Sequence, residues 1–280
     1  MRLASIERAR PLLGTLVSVR VVAPHEALGH GAIDAAFAEI EAVHRLMSFH
    51  DPDSDLSRLH SAPSGQPTRV DARTAEVLAF ALDLAARTGG IFDPTVGAAA
   101  VAAGALPRPL DAVDPAAGAD WRDIRLEGDQ VALNRPVWID LGGVAKGYAA
   151  DRALSRLRAL GALGGLVNAG GDIALFGDEP EPVRLRAGPP DQAAFLELDN
   201  GALASSGADE GLTRTLRLDG RTGRAAPRER FACVLAETCM KADALTKVAL
   251  AGDWGFVTAE GASGLSYDPT EGWRGYGSLT

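Results

Sequence analysis

Residues 140–176 read DLGGVAKGYAADRALSRLRALGALGGLVNAGGDIALF. An apolar run leads into Asp140, two glycines follow, and Ala149, Ala153, Leu157 and Leu160 then recur at helical spacing. This predicts a strand over Val131 to Leu141, a turn, and a helix over Lys146 to Leu160. The next apolar run, Gly165 to Phe176, is interrupted by Gly170-Gly171 and predicts a broken strand, with a bulge or a close backbone approach at the glycines. Short strand signals then follow one another: Val183 to Arg186, Phe195 to Leu198, Ala202 to Ser205, Thr213 to Leu218 and Phe231 to Ala236. Strands clustered in this way, with helices interspersed, favour an α+β fold over a doubly wound one. The sheet is expected to be mostly antiparallel, with flanking helices.

Upstream, Leu12 to Val22 is rich in Leu and Val and predicts a first strand. Ile33, Phe37, Ile40 and Val43 give an amphipathic helix over Ala27 to Met47. Thr74 to Arg87 is apolar enough for a buried helix and stops at Gly89-Gly90. Pro107 to Asp120, rich in Pro, Ala and Asp, predicts a surface loop. Downstream, Met240 to Ala251 predicts a further helix.

Composition narrows the function. With 280 residues, 46% of them hydrophobic, the chain can build one large core, or two lobes sharing one. Its formal net charge of -9 repels phosphate backbones, so nucleic acid is not an expected partner. A small anionic ligand remains compatible, because a local site can be positive. The two cysteines, Cys233 and Cys239, form no CxxC pair and lie in no Cys/His cluster. They predict buried thiols rather than a zinc site. No run reaches the ~18 apolar residues of a membrane span, and neither a secretory signal nor a lipobox is visible, so a cytoplasmic location is expected.

Four short stretches carry candidate chemistry. In Thr88 to Gly97, TGGIFDPTVG, a glycine pair precedes Asp-Pro-Thr. Asp93 either accepts from a ligand or closes an Asx turn, and Thr95 is a candidate cap for the next segment. In Asp140 to Asp151, the free amides of a helix start lie beside Lys146. That makes either an anion site suited to a pyrophosphate or a plain turn with a solvated, exposed lysine. In Val167 to Ile173, Asp172 is either a buried functional carboxylate or a support for the neighbouring glycine turn by hydrogen bonds. In Ala242 to Lys247, Asp243 and Lys247 lie one helical turn apart. Asp243 is either an N-terminal helix residue with an i,i+4 pair or a carboxylate metal ligand at a helix start.

In this order the four stretches resemble the ApbE family, the FAD:protein FMN transferases. The match also takes in Met47-Ser48-Phe49, Ser54 to Leu59 and Ser205-Ser206-Gly207, and runs from about Pro11 to Gly252. The resemblance implies a T-fold-like α+β architecture and a single domain over 1–280, or two lobes with the FAD site between them. It implies FAD as substrate, Mg2+ as metal, and a Ser or Thr of an acceptor protein as the group that receives FMN while AMP leaves. Met47, Ile91, Phe92, Asp93, Asp140 and Lys146 are similar to the family's FAD contacts. Gly143, through its carbonyl, and Asp243 are similar to its metal ligands, and Lys146 and Asp243 to its catalytic pair. The chain departs from the pattern at Leu216, where the family has His, at Lys247, where it has Thr, and at His60, where it has Asn. Cleavage of FAD with water as acceptor, and FAD binding without turnover, are the alternative expectations.

Overall fold

The computed structural model describes residues 3–188, 193–207 and 217–279. In chain order its elements begin β1 (Ala4–Leu12), β2 (Thr15–Ala23), α1 (Glu26–Leu46), α2 (Asp55–Ser61), β3 (Thr68–Arg69), α3 (Ala72–Arg87) and α4 (Gly97–Ala102). They continue with β4 (Ile124–Glu127), β5 (Gln130–Leu133), α5 (Ala145–Ala159), β6 (Gly164–Ala169), β7 (Ile173–Phe176), β8 (Glu181–Leu185) and β9 (Ala194–Leu198). The last are β10 (Gly201–Gly207), β11 (Leu218–Asp219), β12 (Arg224–Ala225), β13 (Phe231–Ala236), α6 (Cys239–Leu250), α7 (Trp254–Ala259), β14 (Ser263–Asp268) and β15 (Gly272–Tyr276). The chain divides into two units. One takes in Met1–Ala42, Lys146–Thr213 and Pro227–Thr280, the other Val43–Ala145 and Arg214–Ala226.

The first unit is built on an eight-stranded sheet, ordered β1-β2-β6-β7-β10-β13-β14-β15, in which every pairing is antiparallel. Val17, Val19, Val21 and Ala23 alternate along β2 with more exposed neighbours, as a strand covered by helices on one face requires. Helix α1 packs there, with Gly29 against Ile6 and Val21. Leu157 of α5 reaches Gly165 of β6, and α6 lies on β10 and β13. Elsewhere Leu166, Leu175, Leu203 and Phe231 form one apolar cluster with Val183, Leu185 and Leu198 of the β8–β9 hairpin.

Three expectations change in this unit. The apolar strand near the N-terminus is the second, not the first. Strand β1 carries Glu7, Arg8 and Arg10 on an edge whose residues are all partly or fully exposed, so it has no apolar signature. Gly165 to Phe176 is not one broken strand but the antiparallel β6–β7 hairpin, turning at Gly170-Gly171. Asp243 does not start its helix, because Thr238 is the N-cap of α6 and accepts from the Lys241 amide.

The second unit holds the small sheet β3-β5-β4, the β11–β12 hairpin and helices α2 to α4. Helix α3 buries Val77, Leu78, Ala81, Leu84 and Ala85, spaced to line one side. The strand expected over Val131 to Leu141 ends at Leu133. Beyond it the amides leave the ladder: Ile139 donates to His60 Nε2 at 2.8 Å and Asp140 to the Pro94 carbonyl at 2.8 Å. Of the strand expected over Thr213 to Leu218, only Arg217 and Leu218 fall among the described residues, and Leu218 begins β11. No described helix is long and apolar enough to cross a membrane.

Candidate functional site

Helices α5 and α6 meet at a residue with no side chain. A Cβ on Gly147 would lie 2.2 Å from the Cys239 carbonyl oxygen, closer than any real contact, so only glycine admits this approach. One turn further along α5, Asp151 accepts from the amides of Cys239 and Met240, each at 2.8 Å, and so holds the first residues of α6. Burial pushes the Asp151 carboxyl up to about 6, against the pull of those two amides. The Gly147 amide in turn donates to Asp243 Oδ2 at 3.2 Å. The sequence reading missed this clasp, for which the i, i+4 spacing of Gly147 and Asp151 is the available signal.

Four charged side chains gather at that junction, all within the first unit. Asp172, in the β6–β7 turn, and Asp243, on α6, are 1% and 0% exposed. Lys146 pairs with Asp172 and stands 3.6 Å from Asp243. Lys247 pairs with Asp243 Oδ1 and also donates to the Asp243 carbonyl at 3.1 Å. A carboxylate taken out of water without partners costs several kcal/mol, on the order of the stability of a whole domain, so these pairs are required for either group to stay charged.

The lysines decide the protonation states. Burial alone would lower the Lys146 pKa, but Asp172 and Asp243 outweigh it and hold the ammonium well above the ordinary lysine range. Burial and the charge of Asp243 push the Asp172 carboxyl up to about 6, against Lys146 and Lys247. For Asp243 the balance falls the other way. Burial is overcome by Lys146, Lys247 and the Gly147 amide, and its carboxyl sits below the usual range.

Two open readings are decided here. Lys146 is not a solvated lysine, because its side chain is 27% exposed and bound to a buried carboxylate. Asp172 does support the glycine turn, its carbonyl accepting from the Ala169 amide at 2.8 Å, while its buried side chain pairs with Lys146. Asn168 Oδ1 adds a side-chain bond to the turn, accepting from the Gly171 amide at 2.8 Å. Both cysteines are buried thiols, as expected.

The remaining candidates lie in the second unit. Met47, Ile91 and Phe92 are buried at 6%, 3% and 5% exposure. Asp93 closes an Asx turn, accepting from the Thr95 amide at 2.7 Å and its hydroxyl at 2.6 Å. Burial holds the Asp93 carboxyl above its ordinary range, with the two Thr95 bonds opposing. Thr95 therefore serves Asp93 and does not cap α4, whose N-cap is Val96 without a side-chain bond. Asp140 accepts from the Gly142 amide at 2.8 Å, which turns the chain toward α5 beside Gly143. Leu216 lies outside the described residues.

Magnesium at Asp243 meets a donor set already in use. Oδ1 is held by Lys247 and Oδ2 by the Gly147 amide, and the carbonyl accepts from Thr246 at 2.7 Å as well as from Lys247. Among the described residues no group of three or more His, Cys, Asp or Glu side chains is placed to hold a metal. Hard cations take free oxygen ligands, so the residues as arranged do not fit a magnesium ion.

A family model described as the ApbE family matches residues 13–254. A Treponema pallidum (strain Nichols) protein named FAD:protein FMN transferase is 29% identical over 202 residues, covering 66% of this chain and 56% of that protein. One of the same name from Rhodobacter capsulatus is 33% identical over 178 residues, 60% of this chain and 34% of that protein. The chain thus matches only part of the length of either relative. The solved structure of the flavin transferase ApbE from Vibrio cholerae superposes with a TM-score of 0.86 at 25% identity, over 99% of this chain and 98% of that one.

Proposed function

The chain belongs to the ApbE family, and from that premise we propose that it binds FAD and transfers FMN to a Ser or Thr of an acceptor protein. The carrying observation is the pair of ammonium groups, Lys146 and Lys247, fixed by two buried carboxylates at the start of α5 and in α6. Phosphoryl transfer is mostly positioning and charge stabilisation, and these two ammonium groups are donors held in fixed positions for a pyrophosphate. The acceptor oxygen bonds to the flavin-side phosphorus, its proton passes to water, and the bridging P–O bond breaks to release AMP. Met47, Ile91, Phe92, Asp93 and Asp140 are the further FAD contacts, by likeness to the family's motifs. Magnesium, which that likeness also implies, carries no step here because Lys247 holds Asp243 Oδ1.

Incubation with FAD and Ser/Thr-bearing peptides, followed by mass spectrometry, tests the reading. Peptide carrying FMN, with AMP released in equal amount, is the expected result. Free FMN and AMP with unmodified peptide would instead identify a hydrolase, and unchanged bound FAD a protein that binds without turnover.

A further inference from the structure

The chain carries 28 Lys and Arg residues, and only three are lysine: Lys146, Lys241 and Lys247. Two of the three converge on the buried carboxylates. Elsewhere the described ion pairs are made almost wholly by arginine, as at Arg8–Asp34, Arg135–Asp123 and Arg230–Asp268. An ammonium differs from a guanidinium in being a compact point charge rather than a planar fork, and so it alone resembles a metal cation in size.

We propose that the ammonium of Lys247 takes the place of a divalent cation at Asp243, so that the site binds its pyrophosphate with two lysines and no metal. Three observations converge on this. Helical geometry brings Lys247, one turn after Asp243, onto the same carboxylate, and Lys247 also reaches the Asp243 carbonyl at 3.1 Å. Lys247 is only 16% exposed, so the pair is partly shielded from water. Finally, the cluster is already neutral: the carboxylates of Asp172 and Asp243 offset the ammonium groups of Lys146 and Lys247. In the ligand-free protein, a dication added there would leave two uncompensated positive charges. Even in water, repulsion between a dication and an ammonium ~4 Å apart weakens binding about 30-fold.

The inference deepens the transferase reading and rests on it for the identity of the anion. The metal claim is tested separately, on the ligand-free protein. Mn2+ binding is followed by electron paramagnetic resonance for the wild type, Lys247→Thr and Lys247→Met. Both variants should bind one Mn2+ about 30-fold more tightly than the wild type, since each removes the ammonium. FAD binding by the wild type, followed by flavin fluorescence, should be the same with EDTA as with magnesium. Stoichiometric Mn2+ binding by the wild type, undiminished relative to both variants, would overturn the replacement whatever FAD does. Wild-type FAD binding that EDTA abolishes would overturn it as well. A wild type that ignores FAD under both conditions would overturn the pyrophosphate assignment and the transferase reading with it, while the Mn2+ comparison still decides the fate of the metal.

Discussion

Removing the Lys146 ammonium leaves Asp172 buried beside Asp243 with its nearest partner gone. Lys146→Ala should therefore lower stability by about 2 kcal/mol or more, read from denaturant midpoints, as well as weaken FAD binding. The double variant Lys146→Ala with Asp172→Asn separates the two effects, because it removes the orphaned charge. Its midpoint should recover while FAD affinity does not, and recovery of both would reduce Lys146 to a structural role. His60 is a different kind of residue. Burial drives its pKa from 6.5 down to about 4, and its Nε2 accepts the Ile139 amide, a bond that only the neutral ring can make. Because the folded pKa lies below the unfolded one, the unfolded chain takes up the proton first. Stability is then full above pH 6.5 and is lost as pH falls toward 4, by about 3 kcal/mol in all. His60→Asn should flatten that slope in pH-dependent unfolding, and an unchanged slope would exonerate the histidine. At this scale the sequence marked Lys146, Asp243 and Lys247 as charged groups at helical positions. It did not mark the partner of Lys146, because Asp172 arrives from a distant hairpin and no local spacing encodes that meeting.

The junction of α5 and α6 is the element on which the site depends, and its tolerance is set by backbone atoms. Gly147→Ala places a methyl group 2.2 Å from the Cys239 carbonyl, where only backbone movement can relieve the clash. It should also part the Gly147 amide from Asp243. We expect loss of at least about 3 kcal/mol together with loss of FAD binding. Asp151→Ala removes the acceptor for two amides at the start of α6 and should cost about 1–2 kcal/mol, with Asp151→Asn intermediate. An Asp151→Ala protein with an unchanged melting midpoint would show that the clasp contributes nothing. Helices α1 and α5 were legible from apolar spacing because the spaced residues are the ones that pack, Ile33, Phe37, Ile40 and Val43 in α1 and Ala149, Ala153 and Leu157 in α5. Strand β1 was not, since an edge strand with exposed charges has no buried face to mark it. The segment after Leu133 read as strand because Val137, Trp138 and Ile139 are buried, yet the Ile139 amide goes to His60 rather than to a neighbouring strand. Burial and ladder pairing are separate demands, and only burial is written in composition.

For the molecule as a whole, the α+β class was legible because the strands cluster without a helix after each one. The boundaries of the two units were not. Each unit is assembled from segments far apart in the chain, and no linker of distinct composition separates them. Stability of the whole chain nevertheless gives a direct test of the ligand. A molecule that binds only the folded state stabilises it by mass action, about 2.7 kcal/mol at a hundred times its Kd. For a chain of this size that corresponds to a rise in melting temperature of roughly 5 °C or more. FAD carries a pyrophosphate to face Lys146 and Lys247, whereas FMN carries a single phosphate and AMP lacks the flavin. At equal concentration FAD should therefore raise the melting temperature more than FMN, AMP or the two together, since one tethered ligand orders once what two must order separately. Lys146→Ala should shrink the FAD increment toward that of FMN, because the lost ammonium is the one held closest to both carboxylates. Equal shifts for FAD and FMN in the wild type would mean that the lysines do not face a pyrophosphate.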